Sequence, residues 1–475
     1  MKSCSKPNNF LSKYLSDKNN IHSIKNIIRM LWLSFVVTMP CIAPGMSFGY
    51  SSIELDQLPL TMSEGSWFAS LPSVLMPIGC LLNGPLMDRY GRKTALLVLN
   101  FPCFVGWFCL ASQPKNLLIL YIGRLLVAIS VALSINPAVV YAAECITVNY
   151  TELRGCFMIL TSIMLDFGMF LTFFLGLLMP ATSVAYIAAV ISLISFFIIC
   201  IFIPESPLWL FEQGRNGDAE LSQKVLRITQ PILQENKVQL AVKTSVEHSY
   251  FYVRVRDPDV YKPIFIMTTF FFLQQMSGSF VFTSYMIQIL QNLNITVNSY
   301  LILLLVGLIN LCSIILLSFS LSQKGFKPLL YLSCIGVSFS MIVLSVFLYL
   351  NVKNTIIVNV VILSCLFLYT TMNGLGLRPI PYAMIGEVFP SDVAGMGSSF
   401  TVCCASLFNF TAIKLYPYLN IWLGPGVYVT YGLIALLTFI FVATFLPNTK
   451  GKTLKQIGDH FTRIDKKTSR EVYLN

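Results

Sequence analysis

An all-α polytopic membrane protein, with twelve transmembrane helices in two six-helix halves, is the fold class this sequence predicts, on three observations. The first is composition: of 475 residues, 56% are hydrophobic and only 11% charged, too little charge to cover the surface of a soluble protein of this size. The second is that apolar runs long enough to cross a bilayer recur along the chain, Ile302–Leu321 and Leu329–Leu350 among them; a ~30 Å hydrocarbon core requires about 20 residues of helix. The third is internal repetition at an offset of about 240 residues, on either side of one long polar stretch, as in transporters built from repeated bundles with a substrate path between them.

In chain order, residues 1–28 form a polar, basic leader with no short apolar core and no small-residue cleavage site, so no signal peptide is expected. Spans are expected near 29–50, 66–86, 94–112, 117–141, 156–179 and 183–203, making a first half over 29–203. Residues 204–262 carry mixed charge with helix-compatible patterning and read as a cytoplasmic helical linker. The second half, 263–446, holds spans near 263–289, 300–321, 329–350, 355–384, 396–416 and 425–446, and 447–475 form a tail.

The net charge of +11 is distributed in a way that argues against a nucleic-acid partner. Basic residues sit in the leader, in alternate loops and in the tail, whereas between Tyr50 and Ser66 the only charges are Glu54, Asp56 and Glu64. The positive-inside rule then places both termini in the cytoplasm, which an even number of spans satisfies. The 13 cysteines fall mostly in apolar runs with no CxxC pair, and read as small buried apolar residues. Nothing in the chain resembles a hydrolytic or metal-binding constellation, so neither an enzyme nor a cofactor is expected.

Short motifs follow the helix ends in order: GPLMDRYGRK (84–93) after span 2, Gly123–Arg124 in span 4, YAAE…RG (141–155) after span 4, PESPLWL (204–210) after span 6, QQMSG (274–278) in span 7, RPIPY (378–382) in span 10 and PNTKGKTL (447–454) after span 12. With these motifs the chain resembles, over essentially its whole length, the sugar porter family of the major facilitator superfamily. SEGSWFASL (63–71) and MIGEVFP (384–390) are most similar to the insect facilitative trehalose transporters. The resemblance implies the major facilitator fold and facilitative uniport of a sugar, trehalose or a hexose, by alternating access. It also implies a multi-pass protein of the plasma membrane that functions as a monomer with the lipid bilayer and a small sugar as its partners.

Around the first motif, Gly84 is expected to let a neighbouring helix approach closely, and Asp88, Arg89 and Arg92 form a charged cluster at the membrane interface. The resemblance implies that Glu144 and Arg154 pair with Arg92 and Arg124 when the cytoplasmic side is closed, a latch that breaks and reforms as the halves rock. Glu205 of PESP, Lys327 and Glu387 complete the expected gating network. The second-half copy is eroded: Ser322, Gln323, Phe326 and Ala394 stand where the family has charged residues. A gate held less tightly in that half is expected. The competing reading is a topology signal with solvated loop charges.

Amides inside a span are costly and so face a partner or a wet cavity. Gln274, Gln275 and Asn310 are such residues, both donors and acceptors, and the resemblance places them in the sugar site; the alternative is interhelical hydrogen bonding. Tyr285 could add an aromatic face and a hydroxyl. Gly278 permits a break in span 7, and Pro379 and Pro381 bend span 10. The chain departs from the family at Phe280, Tyr382, Ala405–Ser406 and Ser162, each in place of a polar or stacking group, with Asn409 one turn beyond Ala405 as a substitute amide. These departures imply an altered substrate or a low sugar affinity.

Two charges stand inside spans: Asp166, at i+4 from Ser162, and Arg378, where the family usually has glycine. They pair across the cavity, bond locally, or contact substrate directly. Proton-coupled family members carry an acid in span 1; residues 39–50 hold none, which favours uniport, with Asp166 as a displaced proton carrier if coupling exists. A non-transporting sugar sensor and a carrier of another solute, drawn by Arg378, are the rival functions. A seven-helix receptor is disfavoured by the span count. Of the Asn-x-Ser/Thr sequences, Asn294 is the expected glycosylation site.

Overall fold

A computed structural model describes residues 20–112, 116–145, 151–226, 257–293, 295–350, 355–389 and 394–446. Twelve helices among them are long and apolar enough to cross a membrane. Spans 1 to 6 are Ile28–Gln57, Met62–Tyr90, Arg92–Ser112, Leu117–Ala142, Leu160–Leu178 and Ala181–Phe202; spans 7 to 12 are Val260–Asn292, Ser299–Leu321, Phe326–Tyr349, Ile356–Ile385, Met396–Leu423 and Gly426–Thr444. The positions match those expected from sequence, with two extensions. Span 1 continues to Gln57, two turns beyond Tyr50, and span 11 continues to Leu423 despite Pro417 within it.

Local chemistry fixes the ends. Span 2 begins with a capping box: the Glu64 N–H donates to Thr61 Oγ1 (3.3 Å) and the Thr61 N–H to Glu64 Oε2 (2.9 Å). It ends at Gly91, whose φ of +96° turns the chain directly into span 3. Gly325, at φ +78°, makes the same turn between spans 8 and 9, so the duplication visible in sequence is repeated in backbone conformation. Gly84 corrects an expectation. Nothing lies within 4 Å of where its Cβ would be, so it does not mediate helix contact. Gly79 does, since a Cβ there would fall 2.4 Å from Ala132 of span 4.

Because the span count is even, the chain enters span 1 and leaves span 12 on one face, on which the segment after span 6 also lies. We call this the linker face and its opposite the distal face. Within each half the spans pack as a bundle. Between halves, span 2 lies along span 11, span 5 along span 8, and the outer part of span 1 along that of span 7. Large apolar side chains such as Phe101, Ile201, Phe265, Ile356 and Trp422 are exposed on the spans, the surface a bilayer solvates and water does not.

Three spans are broken, and the breaks position the site. Span 1 changes register through a 3-10 turn at Met39–Cys41. Span 7 stops at Met276 and resumes at Val281, hinged on Gly278 at φ +82°, where a Cβ would press on the ring of Tyr431. Span 10 passes through a π-turn, Asn373–Leu377, immediately before Pro379 and Pro381, as the prolines' missing N–H groups demand.

Candidate functional site

Gln274 and Gln275 occupy the last helical turn before the break in span 7, and both are buried. Among the described residues, neither amide atom of Gln274 has a hydrogen-bond partner. Gln275 Nε2 donates to the Tyr382 hydroxyl of span 10 (3.3 Å), while its Oε1 is unpartnered. Asn310 of span 8 is buried against the π-turn, its Oδ1 3.5 Å from where a Cβ on Gly374 would lie. The break itself is tied to span 10 by Ser279 Oγ, which donates to Asn373 Oδ1 (3.0 Å). Three amide-bearing positions and a half-exposed tyrosine thus meet where two helices lose their regular hydrogen bonding. Buried amide atoms left unpaired cost free energy, which a hydroxyl-bearing ligand or water entering beside them recovers.

Asn373 was not singled out in the sequence. The signal was present, since it is an amide four residues before the RPIPY motif, but nothing in the spacing shows that the π-turn brings it to Ser279. Two expected cavity residues are engaged elsewhere. Tyr285 is buried with its hydroxyl donating to the Ile413 carbonyl of span 11 (3.2 Å) and its ring 5.1 Å from that of Tyr416. Asn409 Nδ2 donates to Ser73 Oγ (3.0 Å), joining span 11 to span 2 across the halves, and its Oδ1 is unpartnered. Phe280, in place of the family amide, packs on Phe48 of span 1 (6.1 Å between ring centres).

Asp166 and Arg378 form an ion pair between span 5 and span 10, with side chains 7% and 14% exposed. Of the three arrangements left open by the sequence, pairing across the halves is the one present. Ser162, one turn from Asp166, is exposed. Tyr382 lies one turn beyond Arg378, so the pair and the amide cluster share one side of span 10.

Of the contacts expected around Arg92, that with Glu144 is present and that of Arg124 with this cluster is not. Arg92 donates through Nε (2.9 Å) and Nη2 (2.7 Å) to Glu144 Oε1, and Ser206 Oγ donates to Glu144 Oε2 (2.5 Å). Glu205 Oε1 accepts the N–H groups of Arg92 (2.8 Å), Lys93 (2.9 Å) and Ser206 (2.9 Å), neutralising the positive start of span 3. The short helices Pro207–Glu212 and Asn216–Val225 close over this clasp: Trp209 Nε1 donates to the Asp88 carbonyl (3.0 Å) and Ser222 Oγ to the Glu205 carbonyl (2.6 Å). The side chains of Asp88 and Arg89 are exposed. Arg124 does not belong to the clasp. It is buried near the other end of span 4, twenty residues from Glu144, about 30 Å at 1.5 Å per residue. There it bonds Ser47 and Ser51 of span 1 and the Phe68 carbonyl. Arg154, Glu387 and Asn294 lie outside the described residues or side chains. Lys327 is half-buried at the start of span 9 and engaged in an interaction.

The extension of span 1 also corrects the reading that this span holds no acid. Glu54 lies inside it, 1% exposed. The Tyr50 hydroxyl and the Arg124 guanidinium are its polar neighbours, and neither reaches its oxygens with hydrogen-bond geometry. In sequence Glu54 reads as a loop acid because polar residues follow it; the helix simply continues past them.

On the distal face the halves are joined. Ser52 Oγ donates to the Thr283 carbonyl (2.6 Å) and accepts the Met286 N–H (3.2 Å), at the start of the outer segment of span 7. Asp56 accepts from Gln291 Nε2 (2.6 Å) and the Tyr300 hydroxyl (2.6 Å). Lys414 donates to Ser66 Oγ (2.8 Å) over the ring of Trp67.

A family model described as "Sugar (and other) transporter" matches residues 9–461. Among curated relatives, the chain is 28% identical to Sugar transporter ERD6-like 6 of Arabidopsis thaliana over 91% of each chain. It is 26% identical to the Facilitated trehalose transporter Tret1 of Apis mellifera ligustica, over 92% of this chain and 89% of that one. Among solved structures, the inward open conformation of the xylose transporter XylE from E. coli superposes with a TM-score of 0.73 at 20% identity, covering 90% of this chain and 99% of that one. The likeness to that structure concerns the fold.

Proposed function

The chain belongs to the sugar (and other) transporter family, and from that premise we propose that it carries a neutral sugar, trehalose or a hexose, down its gradient by alternating access. The observation that carries this reading is the set of buried amides, Gln274, Gln275 and Asn310, gathered in the second half at the breaks of spans 7 and 10, with three amide atoms of the two glutamines unpaired among the described residues. Hydroxyl groups both donate and accept, so a sugar satisfies such atoms from several directions at once. The Asp166–Arg378 pair favours a neutral solute over an anionic one, because the guanidinium of Arg378, one turn from Tyr382, is already compensated. The named trehalose transporters among the relatives support the choice of sugar.

The linker face is read as cytoplasmic, since the basic leader, linker ends and tail gather there, and the protein as a monomer of the plasma membrane. The ties at Ser52, Asp56 and Lys414 then close the outer side. Rocking the halves breaks them and closes the cavity from the linker face.

One observation favours a second reading, proton-coupled uptake. Glu54 is a buried carboxyl beside Arg124 without a hydrogen-bond partner, a site at which a proton can be taken up and released during the cycle. Uptake of labelled trehalose and glucose into proteoliposomes, with and without an imposed pH gradient, separates the two. Saturable uptake indifferent to the gradient supports uniport. Uptake driven by the gradient and made indifferent to it by Glu54→Gln supports coupling. Folded protein that moves neither sugar overturns both.

A further inference from the structure

We propose that Asp166 sets the charge selectivity of the amide site at the breaks of spans 7 and 10. By compensating Arg378 it restricts the site to uncharged, hydroxyl-rich solutes, and in its absence Arg378 becomes a receptor for the carboxylate of an acidic sugar. The proposal rests on the sugar-carrier reading above.

The location is central. Asp166 lies twelve residues from the distal end of its helix at Leu178, about 18 Å along the axis and so near the middle of a ~30 Å core. Its partner follows the π-turn of span 10 directly. On one side of Arg378 along that span, Gly374 abuts Asn310 and Ser313; on the other, Tyr382 receives the amide of Gln275. The ion pair therefore sits within a helical turn of each part of the amide cluster.

The chemistry of the pair leaves valences for a ligand. A guanidinium carries five N–H donors. Among the described residues the Arg378 side chain spends its hydrogen bonding on a single oxygen, Asp166 Oδ1. The remaining donors stand one helical turn from Tyr382, the acceptor of the Gln275 amide, and a balanced ion pair offers them to sugar hydroxyls without offering net charge. Removing the carboxylate changes the electrostatics more than the shape. An uncompensated guanidinium away from bulk water is costly, and a ligand carboxylate is the group that repays it, with the paired geometry in which arginine binds carboxylates. The mirror case follows: removing Arg378 leaves Asp166 to attract a cation.

A purely mechanical tether between the halves would show neither effect, and ligand binding to purified protein in detergent, followed by calorimetry, distinguishes the two. The ligands are glucose, trehalose, glucuronate and protonated glucosamine. Wild-type protein is expected to bind a neutral sugar and to discriminate against both charged ones. Asp166→Asn is expected to bind glucuronate at least about 10-fold tighter than wild type, and Arg378→Gln to make the same gain for glucosamine. The double variant Asp166→Asn/Arg378→Gln is expected to lose both gains. The two arms are independent, so one variant that fails to fold leaves the other to decide. A folded single variant that keeps neutral-sugar binding without gaining its charged ligand overturns the proposal and leaves the carrier reading intact. Wild-type protein that binds neither neutral sugar overturns the carrier reading and the proposal with it.

Discussion

Arg92 meets Glu144 with two nitrogens on one oxygen, Nε at 2.9 Å and Nη2 at 2.7 Å from Oε1, while its own backbone N–H is held by Glu205 at 2.8 Å. One arginine thus ties the start of span 3 to the end of span 4 and to the first residues of the linker. Both side chains of the pair are about 10% exposed, so the two partners are not equivalent to remove. Arg92→Ala leaves a carboxylate buried without its cation, at a cost of about 3–5 kcal/mol. Glu144→Gln leaves the Arg92 guanidinium without its counter-charge but keeps a neutral acceptor within hydrogen-bond reach, whereas the alanine also removes every hydrogen bond of the arginine side chain. The expected outcome is a much larger drop in melting temperature, measured by fluorescence in detergent, for Arg92→Ala than for Glu144→Gln. Equal drops would mean that the charge of Glu144 is what stabilises the clasp.

A pH dependence follows from the same group. Burial pushes the Glu144 carboxyl up, and this outweighs the opposing pull of Arg92. A carboxyl raised in the folded state binds its proton more tightly there than in the unfolded chain. Its contribution to stability therefore increases as pH falls from neutral through the folded value, and levels off below the ordinary carboxylate range. Wild type is the more stable of the two, so the difference in melting temperature between it and Glu144→Gln is expected to widen as pH is lowered. A difference that narrows on acidification would mean that the Arg92 pair dominates.

The gap between what could be read in the sequence and what could not has a physical source. Apolar length and loop charge placed twelve spans within a few residues, because a bilayer imposes both on any crossing helix. Gln274, Gln275 and Asn310 stood out because an amide in a span demands a reason. Partners in space were harder. Arg124 and Glu144 lie in the same span motif region yet at opposite ends of one helix, and no spacing along the chain reveals that Arg124 bonds Ser47 and Ser51 instead. Glu54 was hidden by composition, since a span that ends in SSIELDQ reads as a loop. The Asp166–Arg378 pair was legible only as one of three options, because each charge needed compensation and the sequence does not give the distance between spans 5 and 10.

The unpaired amide of Gln274 makes stability and binding separable. Both of its amide atoms are buried without a partner, so replacing it by an apolar residue of similar size removes a desolvation cost of about 1–3 kcal/mol. Gln274→Leu is expected to melt at or above the wild-type temperature while losing sugar affinity by about 10-fold or more. A variant that melts well below wild type would show that the amide is structural, bonded in solution to a group or water that supports the span 7 break.

On the distal face, Asp56 accepts from Gln291 and Tyr300, both of the second half, with hydrogen bonds of 2.6 Å. These are charge-assisted bonds, each contributing about 1.5–3 kcal/mol, and they exist only while that face is closed. Tyr300→Phe removes one of them, together with the weaker donation from Gln57 Nε2 to the same hydroxyl (3.4 Å), and keeps the ring at the first turn of span 8. The ratio of the closed to the open population is expected to fall by about 10-fold. Reaction of a cysteine introduced at Ser52, buried in the closed state, with a membrane-impermeant thiol reagent measures this from the distal side. Faster labelling in Tyr300→Phe than in the cysteine variant alone is the expected result. An unchanged rate would place the distal lock elsewhere on that face, at Lys414, which joins span 11 to Ser63 and Ser66 of span 2.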